Sequence, residues 1–128
     1  MCCKGSAYFI RDPKFETSHL YFIITDPNEK GEVIIVNVTS YNSSNSIKLE
    51  QTCQLNSGDH PFIKNSSIVN FPKATVTTLD KIRDGINGGV IKERGDYNLS
   101  KDLLERIQVG ATKSEGIPDK CKKLFNYF

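Results

Sequence analysis

Val33-Ile34-Ile35-Val36-Asn37-Val38-Thr39-Ser40 is the stretch on which the fold turns. Four β-branched apolar residues in succession lack strict in/out alternation, so the run reads as a central strand covered on both sides. Before it, Asp26-Pro27-Asn28 to Gly31 has turn chemistry, and His19-Leu-Tyr-Phe-Ile-Ile-Thr25 is a second apolar strand, which together make a hairpin. Working outward, Ala7 to Ile10, Ile47 to Thr52, Ser67 to Phe71 and Thr75 to Thr78 have the same short, β-rich character. They are set apart by Asp12-Pro13, the polar loop Tyr41 to Ser46, and Asn56-Ser57-Gly58-Asp59. Five or six such strands in under 80 residues predict a small bent barrel, SH3-like or OB-like, because closure removes exposed edges.

After Thr78 the pattern changes. Leu79 to Ile86 suits two helical turns stopped by Gly88-Gly89, whereas Val90 to Asp96 is too short and too charged to classify. Leu99, Leu103, Leu104, Ile107 and Ala111 recur at helical spacing behind the N-cap candidate Ser100; Ile117, Cys121, Leu124, Phe125 and Phe128 repeat the pattern, with Pro118 in the first turn. The fold class expected is therefore mainly β with α: a barrel body over residues 1–85, then a C-terminal extension over 86–128 of two or three short helices packed on the same domain. Amphipathic tail helices ordinarily cover a core; a partner surface or a grip on nucleic acid, with Lys120, Lys122 and Lys123 outside, is the sharper alternative.

The 128 residues fit one domain, and 38% hydrophobic with 25% charged residues is ordinary globular composition. The longest apolar stretch, Leu20 to Thr25, is far short of the ~20 residues that span a bilayer, and the amino terminus lacks a signal-type apolar run. A cytoplasmic protein with reduced thiols and no membrane contact is expected. Cys2, Cys3, Cys53 and Cys121 contain no CxxC pair, so neither a metal nor a cofactor is expected. Residues 1–78 carry seven Lys/Arg and seven Asp/Glu and residues 79–128 ten and eight, so the net +2 lies wholly in the second part. That excess permits phosphate contact without announcing it. No phosphate-cradling glycine loop, G-x-S-x-G or H-E-x-x-H occurs, which argues against nucleotide hydrolysis, esterase and metalloprotease chemistry.

His19 and His60, the only histidines, both flank strand runs. With an ordinary pKa near 6.5 a pair supplies one general base and one general acid, the minimal kit for cutting RNA through its own 2′-hydroxyl. Singly, a histidine at a strand end is more often structural. Asn37, Thr39 and Ser40 at the end of the apolar strand offer an amide and hydroxyls to phosphate oxygens, although such residues commonly just cap a strand. Asp59 either orients an imidazole or shapes the turn before His60. Tyr41 is the best candidate to stack a base; Tyr8, Phe9, Phe22 and Phe71 read as core, and Phe62 as an anchor for its turn.

The order of these pieces resembles the PemK/MazF-like toxins, endoribonucleases on a small SH3-like barrel. Gly5-Ser-Ala-Tyr-Phe-Ile with Asp12-Pro13 is similar to their first strand, His19-Leu-Tyr-Phe-Ile-Ile to their second, and Val33 to Ser40 to a third ending in Thr-Ser. Ser67 to Phe71 and Ala74 to Ile82 are similar to the last strands and following helix. The resemblance implies a metal-independent endoribonuclease of toxin type acting on single-stranded RNA, an antitoxin or other protein partner, and a homodimer. By this likeness Thr39 matches the family's threonine, while His19 stands where an arginine is usual, and only arginine holds phosphate bidentately with a permanent charge. The expected site is thus His19, His60 and Thr39 in catalysis, with Ser40, Asn37, Tyr41 and Asp59 binding substrate. The alternative is a non-catalytic barrel that binds RNA or protein.

Overall fold

In the computed structural model, residues 4–12, 17–40 and 52–128 are described. Tyr41, the polar loop it opens, Cys2, Cys3 and all of the expected strand Ile47 to Thr52 except Thr52 lie outside them. The strands are β1 (Ala7–Asp12), β2 (Thr17–Ile23), β3 (Glu32–Ser40), β4 (Gln54–Leu55), β5 (Ser67–Val69), β6 (Thr75–Thr78) and β7 (Ile91–Glu93). The helices are α1 (Leu79–Asn87), α2 (Lys101–Lys113) and α3 (Asp119–Lys122).

β3 organises the sheet. It pairs antiparallel with β2 on one side, while on the other its first half meets β6 (Ile35 opposite Thr75) and its last residues meet β5 (Val38 opposite Val69). Ile34, Val36 and Val38 join one apolar cluster with Leu20, Phe22 and Ile24 of the β2 segment and with Leu103, Leu104, Ile107, Cys121 and Leu124 of the tail. Val33 and Ile35 join a second cluster with Tyr8, Ile23 and Ile82 of α1. The sheet is thus covered on both faces, by α1 on one and by α2 and α3 on the other, which is why the β3 run is apolar without alternation. Leu79 packs against the α1-face cluster and Leu99 against the other.

The strand path β4-β5-β3-β2-β1-β7 is open, with β6 branching from β3. This corrects the expectation of a closed barrel. The terminal strands β4 and β7 have two and three residues and do not pair with each other, and helices rather than a folded-over sheet cover the apolar faces. The element the sequence left unclassified is β7, which pairs with β1 (Ile10 opposite Ile91) and widens the sheet.

Local chemistry explains the joints. Asn28 Oδ1 accepts from the N–H groups of Lys30 and Glu32, and Gly31 takes a φ of +73° to close the β2–β3 turn. Ser100 caps α2 by accepting from Leu103 N–H at 3.2 Å. Gly110 lets α2 approach closely, since a Cβ there would lie 3.0 Å from Cys53 Cβ and 3.1 Å from the Phe71 ring. The chain end is tied down by Asp26 N–H donating to Tyr127 O and by Lys4 Nζ donating to Phe128 O. No helix among the described residues is long and apolar enough to cross a membrane.

Candidate functional site: an aromatic and cationic groove

The sheet separates the two histidines. Leu20 and Phe22 face the α2 cluster, and His60 packs on that same face, its ring 5.3 Å edge-on from Phe22. His19, alternating with Leu20, belongs to the opposite face with Tyr21 and Ile23. His60 is buried, at 4% exposure, and both ring nitrogens are committed to backbone: Nδ1 accepts from Phe62 N–H at 3.0 Å, and Nε2 faces Tyr97 O at 2.6 Å. With Nδ1 accepting, the neutral ring carries its proton on Nε2 and donates it to that carbonyl. This geometry makes His60 the pin that ties the turn 56–63 to the segment before α2. An acid/base pair of His19 and His60 across one phosphate is not assembled.

The other expected residues divide between the faces. The pairing of β2 with β3 ends at Tyr21 opposite Asn37, and by alternation exposed His19 and half-buried Thr39 both fall on the α1 face. Asn37 is buried on that face; its Nδ2 donates to Thr39 Oγ1 at 3.4 Å, and its Oδ1 has no hydrogen-bond partner. Ser40 falls on the α2 face. Asp59 orients neither imidazole: its Oδ2 accepts from Asn56 N–H at 2.8 Å and lies 3.5 Å from Arg106, so it shapes the turn. Among the described residues no group of three or more His, Cys, Asp or Glu is placed to hold a metal ion. Burial pushes the Cys53 and Cys121 thiols above their ordinary pKa, opposed at Cys53 by Arg106 and at Cys121 by Lys120.

The arrangement with most chemical content surrounds Phe62. This ring is exposed, at 36%, yet rests edge-on against Phe9 and Tyr97, with centroids 5.6 and 5.7 Å away. Phe9 and Arg11 of β1 and Val90 and Lys92 at β7 project to the same side and, with Phe62 and Gly89, line a hollow of about 550 Å³. Val90 is 48% exposed, so two of the three exposed large apolar side chains among the described residues meet here. A second hollow of about 290 Å³ lies across Phe62, lined by Val38, Ser40, Lys64, Asn65 and Ser67 as well as by Ile63.

The charge of the groove is positive because its nearest carboxylates are occupied. Asp96 accepts from Arg94 Nε and Nη2 at 3.0 and 2.7 Å, and that pairing holds its carboxyl below the usual range while raising the guanidinium's pKa. Arg94 itself stacks over Phe9 and Tyr97, 4.9 and 4.4 Å from their centroids, stiffening the aromatic platform. Asp59 is taken by the turn and Arg106, and Glu93 alternates to the far face. Arg11, Lys64 and Lys92 are exposed around Phe62. This groove was not foreseen from sequence. Reading Val90-Ile91-Lys92-Glu93-Arg94 as an edge strand of period two would have set Val90, Lys92 and Arg94 on one side. No protein-family model, curated protein or solved structure matches the chain.

Proposed function

We propose that this domain binds single-stranded RNA without cleaving it, through the groove around Phe62. The observation that carries the reading is an exposed aromatic ring, set on an aromatic platform, between exposed Arg11, Lys64 and Lys92. Single-stranded nucleic acid is bound by rings that stack bases and by cations that track phosphates. The choice of RNA is supported by the resemblance of residues 5–85 to the PemK/MazF-like toxins, whose barrel the open sheet would represent in unclosed form. The separation of the histidines and the burial of His60 support binding rather than paired acid/base cleavage.

Fluorescence anisotropy with a labelled mixed-sequence RNA tests this. Phe62→Ala is expected to weaken binding roughly tenfold or more, since a stacked base contributes about 1–3 kcal/mol. If Arg11, Lys64 and Lys92 each neutralise one phosphate, the slope of log K against log salt is about −2. Affinity indifferent to Phe62 and to salt would remove the proposal.

A second reading, metal-independent cleavage, is favoured by one observation: His19, Asn37 and Thr39 share the α1 face, and Asn37 Oδ1 is a buried acceptor with no partner. There His19 would take the 2′-hydroxyl proton as the 2′-oxygen bonds to phosphorus and return it to the departing 5′-oxygen, with Thr39 as phosphate-side donor. Incubation of RNA in EDTA with the parent, His19→Ala and Thr39→Ala decides it; no cleavage by the parent, or equal cleavage by all three, ends this reading.

A further inference from the structure

The two hollows beside Phe62 share that residue alone among those that line them. Phe62 is therefore a ridge between two compartments, and the compartments differ in chemistry. The larger is walled by Phe9 and Val90 with Arg11 and Lys92 at its rim, and offers apolar contact and charge but no neutral hydrogen-bonding side chain. The smaller has Ser40, Asn65 and Ser67 in its wall and Lys64 at its rim. Ser67 Oγ donates to Asn65 O, which fixes the local backbone beneath the Asn65 amide. Phe62 meets Phe9 and Tyr97 at interplanar angles of 62° and 64°, so neither neighbour lies flat on it.

Resting on the RNA-binding reading above, we infer that the unit recognised is two consecutive nucleotides, with Phe62 wedged between their bases and the Asn65 side reading one of them. A base in the larger compartment meets only surfaces that any π-face satisfies, so that position is indifferent to base identity. A base in the smaller compartment meets an amide that donates and accepts, and its edge pattern decides the fit. A single nucleotide fills one side only and leaves one set of cations without phosphate.

Displacement of a labelled RNA tracer by oligouridylates of one to four nucleotides tests the size of the unit, and dinucleotides of every base combination test the reading. The expected result is a gain of at least tenfold from one nucleotide to two, with a smaller gain beyond. Base preference is expected at one of the two positions, and Asn65→Ala should reduce it to within about twofold. A mononucleotide that competes as well as a dinucleotide overturns the two-base unit, and a preference unaltered by Asn65→Ala overturns the reading role, in both cases with Phe62-dependent binding intact. Absence of any RNA binding by the parent overturns this inference together with the function on which it rests.

Discussion

The face of the sheet under α2 and the face under α1 each hold one histidine and use it differently. On the α2 face His60 is enclosed by Phe22, Phe62 and Tyr97 and spends both nitrogens on backbone. On the α1 face His19 stands exposed at the far end of β2 from the helix. The same side chain is thus a structural pin where aromatic neighbours enclose it, and an exposed surface group where they do not. A histidine's role follows from what competes for its two nitrogens, and proximity to a strand end leaves that open.

Replacing each histidine by alanine is the sharpest way to break this comparison. His60→Ala removes a buried ring and leaves Tyr97 O and Phe62 N–H without partners, so a loss of about 3 kcal/mol in urea unfolding is expected. His19→Ala is expected to change stability by less than about 0.5 kcal/mol. Equal effects would mean that the two faces do not differ in this way.

Helix seating gives a second contrast. Gly110→Val puts a branched side chain against Cys53 Cβ and the Phe71 ring, and about 1–3 kcal/mol of destabilisation is expected. Gly85→Ala on α1 sets the new Cβ 2.5 and 2.7 Å from Ile91 Cδ1 and Cγ1 and 3.4 Å from its Cβ, so the β-branched side chain as a whole must give way. The ~1 kcal/mol gained in helix propensity only partly offsets this overlap, and the thermal midpoint should fall, by less than for Gly110→Val.

The α2 face also holds both buried thiols. Their raised pKa means that the folded chain keeps protons which the unfolded chain releases above the ordinary thiol range. Stability is therefore complete below about pH 8 and declines as pH rises past it, and Cys53→Ala with Cys121→Ala should flatten that decline in urea titrations. Asp96 has the opposite sign: its carboxyl is held low by Arg94, so what it contributes is present above about pH 4 and lost on further acidification. The smallest effect on folding is expected for Asp96→Asn, close to none in urea unfolding, because the pair is exposed. It should nevertheless release Arg94 toward phosphate and steepen the salt slope of RNA binding by about 0.7.

The parts of this molecule that could be read from sequence are those with a local cause. The β3 run, the Asn28–Gly31 turn, the Gly88-Gly89 stop and the Ser100 cap each carry their own signature within a few residues. Barrel closure was misjudged because apolar strand runs state that both faces are covered and leave open whether helix or sheet covers them. The paired histidines failed for a related reason. The alternation that put Leu20 and Phe22 on one face also put His19 on the other, whereas the face of His60 depends on a turn whose direction is set by its contact with Tyr97, 37 residues away. Phe62 and Lys92 meet through β7, a strand stabilised by its pairing with β1 and by the seat of Gly85 on Ile91, neither of which is local in sequence.

Among the described residues the strand path ends on β4 and β7, and their brevity bears on how this chain behaves in a crowd of its own copies. An unpaired margin is a template for strand addition, and two or three residues give an incoming strand few hydrogen bonds. Lys92 and Glu93 further charge the β7 margin against a growing stack. The domain can therefore leave its sheet unclosed without inviting fibril growth, and lengthening β7 with Val or Ile in place of Lys92 and Glu93 would remove that protection and favour aggregation.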